Sequence, residues 1–167
     1  DKLSHSLDSG PSLGSVVVNA DGNFTYSPGA ALQNLPAGGS ATDSFTVLVD
    51  DGNGGKVTST ITVTIDGVND APIVAGESFI VSDGTNFTVA AADLLANDSD
   101  IEGEALSVTA VGGLVNATAS LSGGDVIFSG TSAGAGSFDY TVSDASGGLS
   151  KATVSLTVLH TDDNDNT

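Results

Sequence analysis

The stretch that most constrains this chain is VTSTITVTI at 57–65. Val57, Ile61, Val63 and Ile65 fall on one side, and Thr58, Thr60, Thr62 and Thr64 on the other. A side-chain period of two describes a β-strand with one face buried. The same pattern returns at 152–158, where Ala152, Val154, Leu156 and Val158 alternate with Thr153, Ser155 and Thr157. The recurrence extends upstream. SFTVLVDDGNGG (44–55) aligns with SFDYTVSDASGG (137–148), 93 residues on, so Phe45 matches Phe138, Val49 matches Val142 and Asp51 matches Asp144. NFTYS (23–27) resembles DVIFS (125–129), and Leu3-Ser4 corresponds to Leu106-Ser107. An internal repeat of this length implies tandem domains.

The expected layout is a first domain at 1–66, a linker at 67–72 (GVNDAP), a complete domain at 73–159 and an acidic tail at 160–167. The first domain lacks counterparts of the opening strands of the second, and Pro72 stiffens the linker. Short strands joined by Gly, Asp and Asn turns predict an all-β fold of two antiparallel β-sandwiches. One helical turn is expected in AAADLL at 90–95. DGNF (21–24) and DDGNGG (50–55) read as hairpin turns, the second closed by Asx hydrogen bonds. It lacks the final Glu that an EF-hand loop needs.

Net charge is -18, from 21 acidic residues against 3 basic ones. Asp outnumbers Glu, and Asp favours turns, so the acid sits in loops. Such a chain is a poor ligand for nucleic acid, where Lys and Arg contact phosphates, and anionic lipid would repel it. Cysteine is absent, which excludes disulfides and thiolate metal sites. No apolar run is long enough to insert in a membrane, and no signal peptide is visible. The chain does not begin with Met, so it is expected to be a piece of a larger protein.

The acidic residues concentrate at NDSDIEGE, 97–104. Asp98, Asp100, Glu102 and Glu104 take alternate positions behind Asn97, and Gly103 turns the chain. Carboxylates this close disfavour one another's ionisation, and a hard cation relieves them; Ca²⁺ takes six to eight oxygen ligands in a flexible geometry. The competing reading is a solvated loop of Asx turns; the ligand spacing favours Ca²⁺. Counting strand directions gathers Asn69, Asp70, Asn97, Asp98, Asp100, Glu102, Glu104, Asp125 and Asp144 at one pole, with Asp8, Asp43 and Asp66 at the base of the first domain.

These motifs carry a resemblance. DLLANDSDIEGEALSVTAV resembles the opening of cadherin-like tandem repeats of large bacterial surface proteins. DGNFTYSP, TDSFTVLVDDGNGG and TITVTIDGVNDAP are similar to the body of VCBS repeats, and DDNDN at 162–166 is similar to the inter-domain linker of cadherins. The resemblance implies an Ig-like Greek key fold and Ca²⁺ as the cofactor. By it, Asn69 and Asp70 match the linker, Asp98 and Asp100 match the D-x-D loop, and Asp162, Asn164 and Asp165 match the next linker. Gly67 and Ala71 stand where that pattern has ligands, which favours one or two ions over three. It implies a secreted RTX-type adhesin at the bacterial cell surface, active in biofilm and attachment, whose partners are neighbouring repeats of the same polypeptide.

The function expected is therefore a non-enzymatic extender stiffened by Ca²⁺. The alternative is a Ca²⁺-dependent module that itself binds a host-surface glycan or protein. Hydrolysis is not expected. His5 and His160 lie at opposite ends of the chain, no serine sits in a G-x-S-x-G elbow, and the few aromatics fall on strands. Nor is an isopeptide bond from Lys2, Lys56 or Lys151 expected. An exposed sheet edge in the first domain invites strand pairing with a second copy, a homodimer.

Overall fold

A computed structural model describes residues 2–160. The chain divides into two compact units, Asp1–Asn69 and Asp70–Thr167.

The first unit holds β1 (Ser4–Ser9), β2 (Gly14–Val18), β3 (Phe24–Pro28), a 3₁₀ turn at Ala30–Leu32, β4 (Ser40–Asp50) and β5 (Lys56–Asp66). One sheet has the order β1-β4-β5, all antiparallel, and β2-β3 form a separate hairpin. Ile61, Val63 and Ile65 of β5 are half-buried and the intervening threonines exposed, as their alternation requires. Val57, placed on the same face by sequence, is 63% exposed. It sits beside the turn, paired with Val49.

The second unit holds β6 (Ser78–Ser82), β7 (Phe87–Val89), α1 (Ala91–Leu94), β8 (Ser107–Val115), β9 (Ala117–Ser122), β10 (Asp125–Gly130), β11 (Gly134–Ser143) and β12 (Leu149–Leu159). The single helical turn falls inside the expected AAADLL segment. Two sheets, β7-β10-β9 and β6-β12-β11-β8, enclose one apolar core. It is built from Val126 and Phe128 of β10, Phe138, Tyr140 and Val142 of β11, and the inward stripe Ala152, Val154, Leu156 and Val158 of β12. The named strands pair antiparallel except β6 with β12, which run parallel. Strand parity demands this, because both strands run away from the end where residue 73 enters.

The internal repeat is visible in the register. Phe45 faces Ile61 across β4-β5, and 93 residues on Phe138 faces Val154 across β11-β12. The turns match as well. Asp51 N–H donates to Gly55 O, and Gly55 N–H donates to Asp51 Oδ1 at 2.9 Å. Asp144 and Gly148 repeat both bonds, the second at 2.8 Å. The DDGNGG segment is thus a hairpin turn closed by its own carboxylates, as its sequence suggests.

Candidate metal centre

The acidic loop follows α1 and folds back on the start of its unit. Ile73 and Ser99 form an antiparallel bridge, each N–H donating to the other's carbonyl. Asp98 Oδ1 accepts Ala75 N–H at 2.9 Å. Asp100 Oδ1 accepts the N–H groups of Glu102 and Glu104 at 3.0 and 3.1 Å. Gly103 has φ +76°, the left-handed backbone that glycine adopts without strain, and its N–H reaches Asp100 O. Asx bonding therefore shapes this loop, and it consumes one oxygen of Asp100.

The opposite oxygens are another matter. Asp100 Oδ2 and Glu102 Oε2 are buried and have no hydrogen-bond partner. A buried carboxylate oxygen without a donor is costly. Glu102 spends its other oxygen on Asp70 N–H at 3.4 Å, which ties the loop to the first residue of this unit. Glu104 is fully engaged, accepting Ser146 N–H at 2.8 Å and Ser146 Oγ–H at 2.6 Å. That clamps the loop to the Asp144–Gly148 turn. Asp144 is buried and holds its turn through Oδ1.

A second cluster lies beneath. The Tyr140 hydroxyl, carried inward by β11, has four acceptors around it: Ala75 O at 2.9 Å, Glu77 Oε1 at 3.1 Å, Leu94 O at 3.4 Å and Asp98 Oδ2 at 3.5 Å. One phenolic hydrogen serves at most one or two of them. Glu77 Oε2 is buried with no donor. Burial pushes Glu77 above the usual carboxylate range; bonds from Tyr140 and Asn97 oppose the rise and the Asp98 charge adds to it. Burial also raises Tyr140, helped by the negative charges of Glu77 and Asp98. This end of the unit has more buried oxygens than hydrogens to offer them. Glu77 and Tyr140 escaped the sequence reading because neither lies in an acidic run; only folding brings them under the loop.

Of the other expected site residues, Asn97 is exposed. Asp66 ends β5 opposite Ser40 and is exposed. Asn69 is half-buried at the close of the first unit. Asp162, Asn164 and Asp165 lie outside the described residues. Asp125 opens β10, paired with Ser122, and Asp8 accepts Thr46 Oγ1–H at 3.0 Å. Asp43 differs from its expected place in an open acidic pole. It is 4% exposed and fully engaged. Oδ1 takes Ser12 N–H, Ser12 Oγ–H and Ser44 N–H, and Oδ2 takes Leu13 N–H at 2.7 Å and Tyr26 O–H at 2.8 Å. Burial pushes its pKa up, but these bonds outweigh it and hold the carboxyl well below its ordinary value. Asp43 staples the loop after β1, and β3, onto β4.

Among the described residues, no three His, Asp or Glu side chains form a group able to hold a metal by themselves. The two orphaned oxygens of Asp100 and Glu102 are hard donors of the kind Ca²⁺ takes. They fit as part of a shell, which amide, backbone or water oxygens would have to complete.

Residues 69–157, more than half of the chain, match the family model described as bacterial Ig domain. The chain belongs to the bacterial Ig domain family. Residues 1–67 of this bacterial Ig-family chain match a second model, bacterial cadherin-like domain. Domains of these kinds are typically extracellular, non-enzymatic modules of the adhesion type, and cadherin-like domains typically bind Ca²⁺. Solved structures similar to the chain include extracellular cadherin domains 1–4 of protocadherin gamma B7, at 16% identity and TM-score 0.46, covering 98% of this chain and 42% of that one. Domains EC1-2 of human mucin-like protocadherin are 18% identical with TM-score 0.43, covering 96% and 86%. An endo-fucoidan hydrolase of glycoside hydrolase family 107 is 24% identical with TM-score 0.37; the match covers 96% of this chain and 24% of the enzyme. These are likenesses of fold at most. No curated protein matches the chain. No helix among the described residues is long and apolar enough to cross a membrane.

Proposed function

We propose that the chain is a Ca²⁺-rigidified extender module of a secreted, RTX-type bacterial surface adhesin that serves attachment and biofilm growth. The observation that carries this is the set of buried carboxylate oxygens with no donor, Asp100 Oδ2 and Glu102 Oε2 in the loop with Glu77 Oε2 in the cluster beneath it. Left unmatched they destabilise the fold; a divalent cation reverses the sign of that contribution. The loop is joined to residues 70, 73 and 75 at the head of its unit. Ordering it orders the point where the linker enters, so metal binding converts a hinge into a spacer.

Linkage gives the size. A site with the affinity of extracellular modules, about 10⁻⁴ to 10⁻³ M, is filled in millimolar Ca²⁺. At ten times the Kd the gain is about 1.4 kcal/mol. Calorimetric melts in EDTA and then in excess Ca²⁺ test the reading. A higher melting temperature in Ca²⁺ is expected, and an unchanged one contradicts it.

A further inference from the structure

The acidic loop is anchored at both ends. At its start, the Ile73–Ser99 bridge and the bond from Ala75 N–H to Asp98 Oδ1 tie it to the head of the second unit. At its close, Glu104 reaches Ser146. Oε2 accepts the backbone N–H at 2.8 Å and Oε1 accepts the hydroxyl at 2.6 Å, so both carboxylate oxygens are spent on one residue. Residues 100–103 lie between these anchors, and they carry the buried Asp100 and Glu102 oxygens that have no donor.

The second anchor is rooted in the core. Ser146 sits in the turn that Asp144 and Gly148 close with two hydrogen bonds. That turn joins β11 to β12, whose pairing runs from Ser143–Leu149 to Gly134–Val158. Both strands supply core residues, among them Tyr140, Val142, Ala152 and Val154. Asp100 is held differently, from within its own loop: Oδ1 accepts the N–H groups of Glu102 and Glu104. Glu104 therefore meets Asp100 through its backbone and Ser146 through its side chain. Asp98, Asp100, Glu102 and Glu104 fall close together in sequence, and their like charges oppose that crowding. A loop held in place before an ion arrives spends less of the binding energy on ordering itself.

We propose that Ser146 is a positioning residue for Ca²⁺: through Glu104 it holds Asp100 and Glu102 in the arrangement that takes the ion. This rests on the Ca²⁺ reading given above and divides the acids by role. Asp100 and Glu102 offer oxygens to the ion, and Glu104 braces the loop that carries them.

Ser146 is uncharged and exposed, so replacing it leaves the charge of the loop unchanged. The test is calorimetric titration of Ca²⁺ into the metal-free full chain and two variants. Ser146→Ala deletes the hydroxyl bond and should weaken binding about fivefold, part of the value of one hydrogen bond to a charged group. Ser146→Thr keeps the hydroxyl and should restore the native affinity. In EDTA, amide exchange at Glu102 and Glu104 should be faster in Ser146→Ala than in the native chain; a role confined to the turn would move neither these amides nor the Kd. Equal affinities of the native chain and Ser146→Ala would overturn the proposal and leave the Ca²⁺ reading standing, as would equal losses in the Ala and Thr variants. No saturable Ca²⁺ binding by the native chain would overturn both.

Discussion

The hairpins β4-β5 and β11-β12 share sequence pattern, register and turn chemistry, but they occupy different surroundings. In the second unit the inward residues Val154, Leu156 and Val158 are buried, while their counterparts Ile61, Val63 and Ile65 are only half-buried. Phe45 and Phe138 are equally enclosed, at 2% and 0% exposure, because each packs against its own hairpin and the β3 or β10 strand above it. Their ring partners come from different positions of the repeat, Phe128 aligning with Tyr26 and Phe24 with Val126; Phe128 is 2% exposed and Phe24 is 44%. Phe79 of β6 and Phe87 of β7 flank Phe128 at 5.4 and 6.1 Å. A hairpin's sequence fixes which side chains face inward. How much of that face leaves water depends on what lies over it.

The first unit compensates by polar means. Where the second relies on a continuous apolar cluster, the first pins its loop, β3 and β4 together through one buried carboxylate, Asp43. Three substitutions sharpen this contrast. Phe128→Ala should have the largest effect, destabilising the second unit by about 3–5 kcal/mol, as for other buried aromatic truncations; chemical denaturation followed by per-unit NMR signals measures it. Asp43→Asn should come next and act on the first unit alone. The folded pKa of Asp43 is depressed, so its contribution is whole above the unfolded value of about 3.9 and is lost as pH falls toward the folded one. The variant should melt lower at neutral pH and lose that part of the acid sensitivity; an unchanged pH profile would remove Asp43 from the account. Phe24→Ala should be smallest, about 1 kcal/mol, because nearly half of the ring is already in water. Equal costs at Phe24 and Phe128 would break the comparison.

Much of this fold was legible. Period two in β5 and β12 is a local property, and it survives because each strand has one wet face and one dry one. The single helical turn and the Asx-closed hairpins followed from turn residues, and the return of 97–104 to the start of its unit followed from strand parity. The parallel pairing of β6 with β12 did not, because parity gives strand directions but not which strands become neighbours. Other features needed the third dimension. Val57 obeys the alternation yet lies in water, since exposure depends on neighbours distant in sequence. Asp43 was legible as acid but not as a staple, because its donors Ser12 and Leu13 arrive from a loop some thirty residues upstream. Glu104 and Asp144 were rightly sent to one end of the second unit, but hydrogen bonds to Ser146 and Gly148 engage them there. Spacing alone could not separate such carboxylates from Asp100 and Glu102, which keep a buried oxygen without a donor.

The central claim is that these two oxygens await a hard cation. Isothermal titration of Ca²⁺ into the metal-free chain, and into the Asp100→Asn/Glu102→Gln double variant, addresses it directly. The account predicts saturable binding by the native chain at about 10⁻⁴ to 10⁻³ M and none by the variant. Absent binding to the native chain, or identical isotherms for the two proteins, would contradict it.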